Sequence, residues 1–208
     1  MHEPPITVVP GWRRGFWCLM ATQFQTAFSD NALKNLIILL VLGSAMPLEE
    51  RNTHVALASA LFAAPFILFS MLGGWLADRF SKQRVMTSVK QAEVCIMLFA
   101  AAALASGQVT LELAAIFLMG CHSAVFAPSK YGILPELLPH YRLSWGNGIL
   151  ELLTFLGIIF GIAASGLLAE TFAGAPGFSG LLLALLAVLG WWLSRGITPV
   201  PAANPACE

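Results

Sequence analysis

The sequence predicts an all-α membrane protein with six transmembrane helices. Hydrophobic residues make up 58% of the 208 residues and charged residues only 11%, whereas about 25% of the residues in a soluble domain are charged. The mean hydropathy is +0.78. Six separate apolar segments are long enough to cross a bilayer, which takes about 20 residues per helix. Together these observations exclude a soluble globular domain.

The six predicted spans follow one another through short connections. Their boundaries are 15–43, 54–77, 85–106, 110–127, 145–170 and 178–195. The proline-rich segment 196–208 is expected to form a linker or a disordered tail. The connection 128–144 contains an amphipathic stretch, for which we expect a short interfacial helix. Three spans followed by three spans are compatible with inverted structural repeats.

Positive charges predict the orientation of the spans. With both termini on one side, that side carries eight loop or terminal cations and the opposite side carries only Arg51. The eight cations are Arg13, Arg14, Arg79, Lys82, Arg84, Lys130, Arg142 and Arg195. All six tryptophans also fall near this side, as interfacial anchors do. The positive-inside rule therefore predicts that both termini, with the N-terminal segment 1–14, are cytoplasmic.

Several function classes find no support in the composition. The net charge of zero argues against nucleic-acid binding. The four cysteines form no spacing framework, and the four histidines are widely separated, so we expect free thiols and neither a metal site nor another cofactor. Adjacent His122 and Ser123 point about 100° apart on a helix, and no nucleophile elbow occurs, so we expect no enzyme.

The first span carries ionisable side chains near its centre. Asp30 and Lys34 share one helical face there, and each charge costs about 2.5–3.5 kcal/mol to insert. Their spacing favours a local ion pair, which would either pack the bundle or face a watery cavity. Asn31 and Asn35 form a second pair, which suits a polar head group or a neighbouring helix equally well. Because intramembrane ionisable residues indicate function, we predict a substrate or coupling-ion site here.

Other spans carry polar residues that are less specific. Lys90 and Glu93 are predicted to form a positioning salt bridge close to the cytoplasmic interface, where a lysine can extend its amine towards water. Glu151 lies near the cytoplasmic end of the fifth span. For Glu151, a cavity-lining role and an interfacial pairing role are equally compatible with the sequence.

The connection between the second and third spans has a specific pattern. It runs from Gly74 to Arg84 and reads Gly-Trp-Leu-Ala-Asp-Arg-Phe-Ser-Lys-Gln-Arg. The glycine lets a helix end pack closely, the acid Asp78 follows, and cations begin at Arg79. A basic loop that merely obeys the positive-inside rule is the alternative interpretation.

This pattern resembles the loop signature of the major facilitator superfamily, in which the acid locks helix ends in one of two arrangements. Ser81 replaces the second glycine of that signature, and Gln83 replaces one of its usual cations. The resemblance implies a conformational latch, formed by Gly74, Asp78, Arg79 and Arg84. It also implies that the six spans form one half of a bundle with 3+3 inverted repeats.

Three further stretches resemble the lysophospholipid transporter branch of this superfamily. They are Ser29 to Asn35, Ala127 to Glu136 and Asn147 to Glu151. Members of this branch flip lysophospholipids, chiefly lysophosphatidylethanolamine, inward across the bacterial inner membrane for reacylation. The resemblance covers residues 15 to about 195 and implies the same localisation and the same substrate class for this chain.

The resemblance also implies roles and partners. The residues that would contact the head group or a coupling ion are Asp30, Asn31, Lys34, Asn35 and Glu151. Lys130 would lie at the cytoplasmic entrance near the lipid phosphate. A superfamily transporter has two six-helix halves with its site between them. This chain would supply the N-terminal half, and its partners would be the substrate, membrane lipids and a second half, from the same longer chain or from a dimer.

Three other functions are weighed against lipid transport. A proton-coupled exporter of small solutes or drugs would share the fold, although such proteins usually resemble a proline- and glycine-rich pattern in span five, and residues 161–166 lack the proline. For a membrane enzyme, the sequence lacks the expected motifs, as described above. A non-transporting scaffold would not need Asp30 and Lys34.

Overall fold

The computed structural model describes residues 11–202 and residue 204, which form a bundle of six long helices. The helices are α1 (Trp12–Gly43), α2 (Leu48–Arg79), α3 (Lys82–Ser106), α4 (Val109–Leu137), α5 (Leu143–Thr171) and α6 (Gly177–Ser194). Each helix is long and apolar enough to cross a membrane. The described residues contain no β-strand. The predicted fold class, all-α with six spans, is confirmed.

The helices pack in pairs that are distant in sequence. The most extensive contacts join α1 to α5, α2 to α4 and α3 to α6, and α3 also packs against α4. As a result α1 and α4 are the most buried helices, while α2 is the least buried. Polar side chains on α1 and α4 are therefore held inside the bundle.

Glycines on α5 allow its close approach to α1. A Cβ atom added to Gly157 would lie 2.7 Å from the carbonyl oxygen of Phe24, and one added to Gly161 would lie 2.5 Å from that of Phe28. Real side chains do not tolerate such distances, so only glycine fits at these two positions. Small residues of this kind commonly bring membrane helices together.

The end of α4 differs from the prediction. The helix continues through Pro128 and Pro135 to Leu137, so the connection 128–144 contains no separate interfacial helix, only a 3₁₀ turn after the end of α4. Membrane helices tolerate proline where neighbouring groups satisfy the freed backbone. Leu134 and Leu137 are each 1% exposed in a hydrophobic cluster with the first turns of α1, and this burial favours continuation of the helix.

The segment after α6 is packed in its described part. Ile197 and Val200 are buried, and the backbone N–H of Asn204 donates to the carbonyl oxygen of Asp78 (2.9 Å). Residues 196–202 are therefore packed rather than disordered, and a linker role for the segment 196–208, the other expectation, stays a prediction.

The start of α1 and the end of α6 lie at the same end of the bundle, which we call the terminal end. The hydroxyl of Thr198 donates to the carbonyl oxygen of Gly11 (3.3 Å) across this end. Most of the predicted N-terminal segment 1–14 lies outside the described residues, as do residues 203 and 205–208.

Candidate functional site

A polar cavity of about 160 Å³ lies between α1, α2, α4 and α5. Its polar lining consists of Gln23, Thr26, Asp30, Asn31, Ser123, Lys130 and Thr154. Larger grooves of about 530 and 550 Å³ lie elsewhere on the bundle, and the described residues that line them carry no ionisable side chain. Because ionisable groups within a membrane bundle indicate a functional site, the polar cavity is the candidate.

Asp30 is the acidic centre of the cavity. Its side chain is buried, and its Oδ2 atom accepts a hydrogen bond from the hydroxyl of Ser123 on α4 (2.6 Å). Its Oδ1 atom is buried without a hydrogen-bond partner in the described part of the chain, as is the Oε1 atom of Gln23. Buried acceptors without donors are unfavourable. The cavity is therefore suited to a ligand that donates hydrogen bonds.

The predicted ion pair between Asp30 and Lys34 does not form. The Nζ atom of Lys34 lies 4.9 Å from the ring centroid of Phe62 on α2, while Asp30 is bound by Ser123. A hydroxyl from α4 and an aromatic face from α2 compete successfully with the local pair, since a cation over a ring gains about 0.5–2 kcal/mol. Lys34 lies outside the cavity lining.

The two asparagines of α1 bond to their own helix. The side-chain amide of Asn31 donates to the carbonyl oxygen of Ala27 (2.9 Å), and that of Asn35 donates to the carbonyl oxygen of Asn31 (2.8 Å). Of the two roles left open by the sequence, these hydrogen bonds do not reach a neighbouring helix, and contact with a polar head group stays a prediction. Asn31 still lines the cavity, whereas Asn35 lies outside the lining.

Lys130 supplies the positive charge of the cavity. Because α4 continues beyond its predicted end, Lys130 lies within the helix and not in a loop. Its buried side chain lines the cavity. Its ammonium lies 4.6 Å from the ring centroid of Tyr131 and is attracted by Asp30 and Glu151. The Tyr131 hydroxyl donates to Oε1 of Glu151 (3.0 Å). Of the two roles considered for Glu151, the structure shows pairing.

Lys90 and Glu93 form a buried ion pair beside α1. Both side chains are 0% exposed, and the Lys90 ammonium also donates to Gln25 and to the hydroxyl of Thr26 (3.1 Å). The Gln25 amide donates in turn to Oε1 of Glu93 (3.0 Å). The predicted salt bridge is confirmed, and it is buried between helices. Acceptors on α1 satisfy the ammonium, so it does not reach towards water.

His122 of α4 connects this ion pair to the cavity. Its Nε2 atom lies 3.1 Å from Oε2 of Glu93, and its Nδ1 atom lies 3.4 Å from the hydroxyl oxygen of Ser123, which donates to Asp30. The Nε2 contact has the distance of a hydrogen bond but not its alignment. We call this series of contacts the polar chain: Lys90, Glu93, His122, Ser123 and Asp30.

Sequence reasoning missed the role of His122 and Ser123. It treated them as an adjacent pair pointing in different directions, and their neighbours Glu93 and Asp30 come from other helices. The available signal was a histidine next to a hydroxyl inside an otherwise apolar span. No group of three possible metal ligands comes together among the described residues.

The predicted latch lies at the terminal end of the bundle. The side chains of Asp78 and Arg84 are exposed, and the guanidinium of Arg79 lies 5.1 Å from the ring centroid of Trp75. The prediction of close packing at Gly74 is wrong, because a Cβ atom there would meet open space. The adjacent Gly73 makes the close contact with α4 instead.

Comparison with known proteins identifies the family. The profile of the Major Facilitator Superfamily matches residues 19–206. The chain belongs to this superfamily. The "Lysophospholipid transporter LplT" proteins of Citrobacter koseri and Escherichia coli (strain SE11) are 32% and 33% identical to it over 170 residues. These alignments cover 82% of this chain, which spans about 40% of the length of either relative.

Solved structures show the same fold. A POT family transporter in complex with a thioalcohol-conjugated peptide superposes with a TM-score of 0.68 at 17% identity. The peptide transporter POT in complex with sulfate gives 0.70 at 19% identity. In both cases 92% of this chain matches 40% of the other chain, so the bundle corresponds to a part of each superfamily transporter.

Replacement of Lys90 by methionine should strongly destabilise the bundle. Lys90→Met leaves the buried Glu93 without its lysine partner, at an expected cost of about 3–5 kcal/mol. We expect a large fall in the thermal unfolding midpoint of the purified protein in detergent, and partial recovery in the double variant Lys90→Met/Glu93→Gln.

Lys82→Met is the matched control for Lys90→Met. Lys82 pairs with Glu136 at 2.5 Å, and its side chain is 4% exposed while that of Glu136 is 30% exposed. Because the carboxylate left by Lys82→Met retains contact with its surroundings outside the bundle, we expect a smaller loss than in Lys90→Met. Equal shifts of the midpoint in the two single variants would show that loss of the Lys90–Glu93 pair does not cost more stability than loss of the Lys82–Glu136 pair.

Proposed function

We propose that this chain is the N-terminal six-helix half of a transporter that moves lysophospholipids across the bacterial inner membrane. The observation that carries the proposal is a cavity that holds an acid, Asp30, and a base, Lys130, inside a membrane bundle. A lysophospholipid head group is charged and its acyl chain is apolar. The names of the relatives from Citrobacter koseri and Escherichia coli support the same substrate class.

A second six-helix half would complete the site. The cavity is flanked by α2 and α5, and both helices leave large apolar side chains exposed. Ile67 and Met71 of α2 are 84% and 86% exposed, and Phe155 and Ile159 of α5 are 61% and 59% exposed. Superfamily transporters bind substrate between two such bundles, which rock around it. The second half would come from the same longer chain or from a second copy.

Head-group recognition follows from the charges of the cavity. The phosphate would bind Lys130, and an ammonium group would bind the unpartnered Oδ1 atom of Asp30. Bringing two opposite charges to two opposite charges limits the cost of removing them from water. Asn31 would contact the head group from the lining, while Lys34, Asn35 and Glu151 would support the site from outside the lining.

Transport by variants tests this assignment. In the assembled transporter, Asp30→Asn should reduce transport of lysophosphatidylethanolamine about tenfold, because a hydrogen bond to a charged group contributes about 1.5–3 kcal/mol. Lysophosphatidylglycerol, which has no ammonium group, should be affected less. Lys130→Gln should reduce transport of both lipids, because both carry the phosphate.

The exposed Glu49→Gln variant serves as control and should transport both lipids normally. Normal transport of both lipids by Asp30→Asn and Lys130→Gln would refute the site. Uptake of a cationic drug without lysolipid transport would favour the exporter, and transport of neither would favour a scaffold.

We also propose that both termini face the cytoplasm. The eight-to-one distribution of cations supports this orientation. In a variant with Cys18, Cys95 and Cys121 replaced by serine, Cys207 should react with an impermeant thiol reagent only after permeabilisation. A cysteine at Asn52 should react in intact cells, and the opposite labelling pattern would reverse the orientation.

The loop signature is proposed to act as a conformational latch. Asp78 is exposed at a point where two helix ends meet, so its carboxylate is accessible to a helix N-terminus or a cation in the other arrangement. Asp78→Ala should insert normally but transport several-fold more slowly, because the balance of the two arrangements changes. Normal transport at matched expression would show that the latch interpretation is wrong.

A further inference from the structure

The side-chain amide of Gln23 has one defined orientation. Thr154 of α5 donates its hydroxyl hydrogen to the carbonyl oxygen of Leu150 (2.7 Å), and a hydroxyl has only one hydrogen to donate. The Thr154 oxygen can therefore only accept, so the end of the Gln23 amide that lies 2.8 Å from it is the NH₂ donor. The Oε1 atom is the end of the amide that has no partner among the residues that the structure describes.

This oxygen belongs to a buried side chain of the polar cavity. Gln23 is 3% exposed, and it lines the cavity together with Thr154. A buried carbonyl oxygen without a hydrogen-bond donor is unfavourable. The Gln23 acceptor is therefore suited to a hydroxyl or N–H group that a ligand brings into the cavity.

Gln23 and Asp30 place their acceptors at different depths in the bundle. The two residues are seven positions apart on α1, which is two turns or about 10 Å along the helix axis. Each is bound by a different helix, Gln23 by Thr154 of α5 and Asp30 by Ser123 of α4. A hydrogen bond is only about 3 Å long, so two acceptors arranged in this way suit two separate donor groups of one ligand.

A lysophospholipid with an ammonium group carries two such donors. The ammonium lies at the end of the head group, and the free hydroxyl lies on the glycerol, on the other side of the phosphate. In an extended head group the span between these donors is comparable with two helical turns, about 10 Å.

The proposed phosphate site fits the same order of groups. Lys130 lies seven residues after Ser123 on α4, towards the terminal end, and Gln23 lies on the same side of Asp30 along α1. Phosphate and free hydroxyl are neighbours in the lipid, and Lys130 and Gln23 line the same cavity. An ammonium at Asp30 therefore leaves the phosphate and the hydroxyl on the side where Lys130 and Gln23 lie.

We propose that Gln23 binds the free glycerol hydroxyl of the cargo and thereby selects lysophospholipids against diacyl phospholipids. In a diacyl lipid this oxygen belongs to an ester and has no hydrogen to donate. A site built to hydrogen-bond a hydroxyl rejects an analogue that lacks it, because the buried polar group of the site is left unpaired. Thr154 is a positioning residue, which orients the amide. The inference rests on the proposed function, since it takes Asp30 and Lys130 as the head-group site.

Binding of two matched lipids to the assembled transporter tests the role of the hydroxyl. One lipid is lysophosphatidylethanolamine, and the other is its deoxy analogue, in which a hydrogen atom replaces the free glycerol hydroxyl. The deoxy analogue should bind about tenfold more weakly, because the Gln23 oxygen loses its donor. Since this analogue adds no bulk, the comparison excludes a steric effect of a second acyl chain.

Variants locate the discrimination between the two lipids. Gln23→Met removes the acceptor, so the two lipids should bind it with similar affinity. Thr154→Val frees the Gln23 amide and should lower the tenfold ratio, whereas Thr154→Ser retains the hydroxyl and should keep it. Gln91→Met makes the same change as Gln23→Met at an exposed position of α3 and should leave the ratio unchanged.

Equal affinity of the unmodified transporter for the two lipids would overturn the inference, as would a tenfold ratio retained in Gln23→Met. If Gln23→Met does not fold, the comparison of the two lipids on the unmodified transporter still decides. No binding of lysophosphatidylethanolamine at all would instead refute the proposed function. Recognition of the hydroxyl can therefore fail while lysolipid binding stands, and the two failures are distinguishable.

Discussion

The ionisable side chains buried in this bundle are stable only because positive and negative groups lie close enough to neutralise one another. Lys90 and Glu93 are wholly buried, and either charge alone would be strongly destabilising in the membrane interior. Gln25 and Thr26 of α1 complete the hydrogen bonding of the Lys90 ammonium. These side-chain hydrogen bonds connect α3 to α1, and α1 packs closely on α5 beside the cavity.

α4 connects the Lys90–Glu93 ion pair to the cavity. It places His122 against Glu93 and Ser123 against Asp30, and two turns later it places Lys130 in the cavity wall. α4 therefore contacts the buried pair through His122, contacts Asp30 of α1 through Ser123, and itself supplies Lys130. A movement of α4 relative to α1 would alter the Ser123 hydrogen bond and the separation of Lys130 from Asp30 together. Such a movement would therefore change the geometry of the proposed head-group site.

The number of helices and the polar face of α1 were predictable because hydropathy and helical spacing are local properties of the sequence. The contact partners of the polar groups were not predictable from the sequence. Asp30 and Lys34 have the spacing of an ion pair, yet Ser123, 93 residues away in sequence, and Phe62 bind them, and only the packed structure shows which helices face each other. The complete burial of Lys90 was missed for a similar reason, because its acceptors Gln25 and Thr26 lie on α1, far away in sequence.

The most direct test of the account is a structure of the assembled transporter with bound lysophosphatidylethanolamine. The account predicts the head group in the cavity between α1, α2, α4 and α5, with its ammonium within hydrogen-bond distance of Asp30 and its phosphate within hydrogen-bond distance of Lys130. A head group bound instead in the apolar groove beside Trp17 and Leu193, with both cavity residues uncontacted, would contradict it.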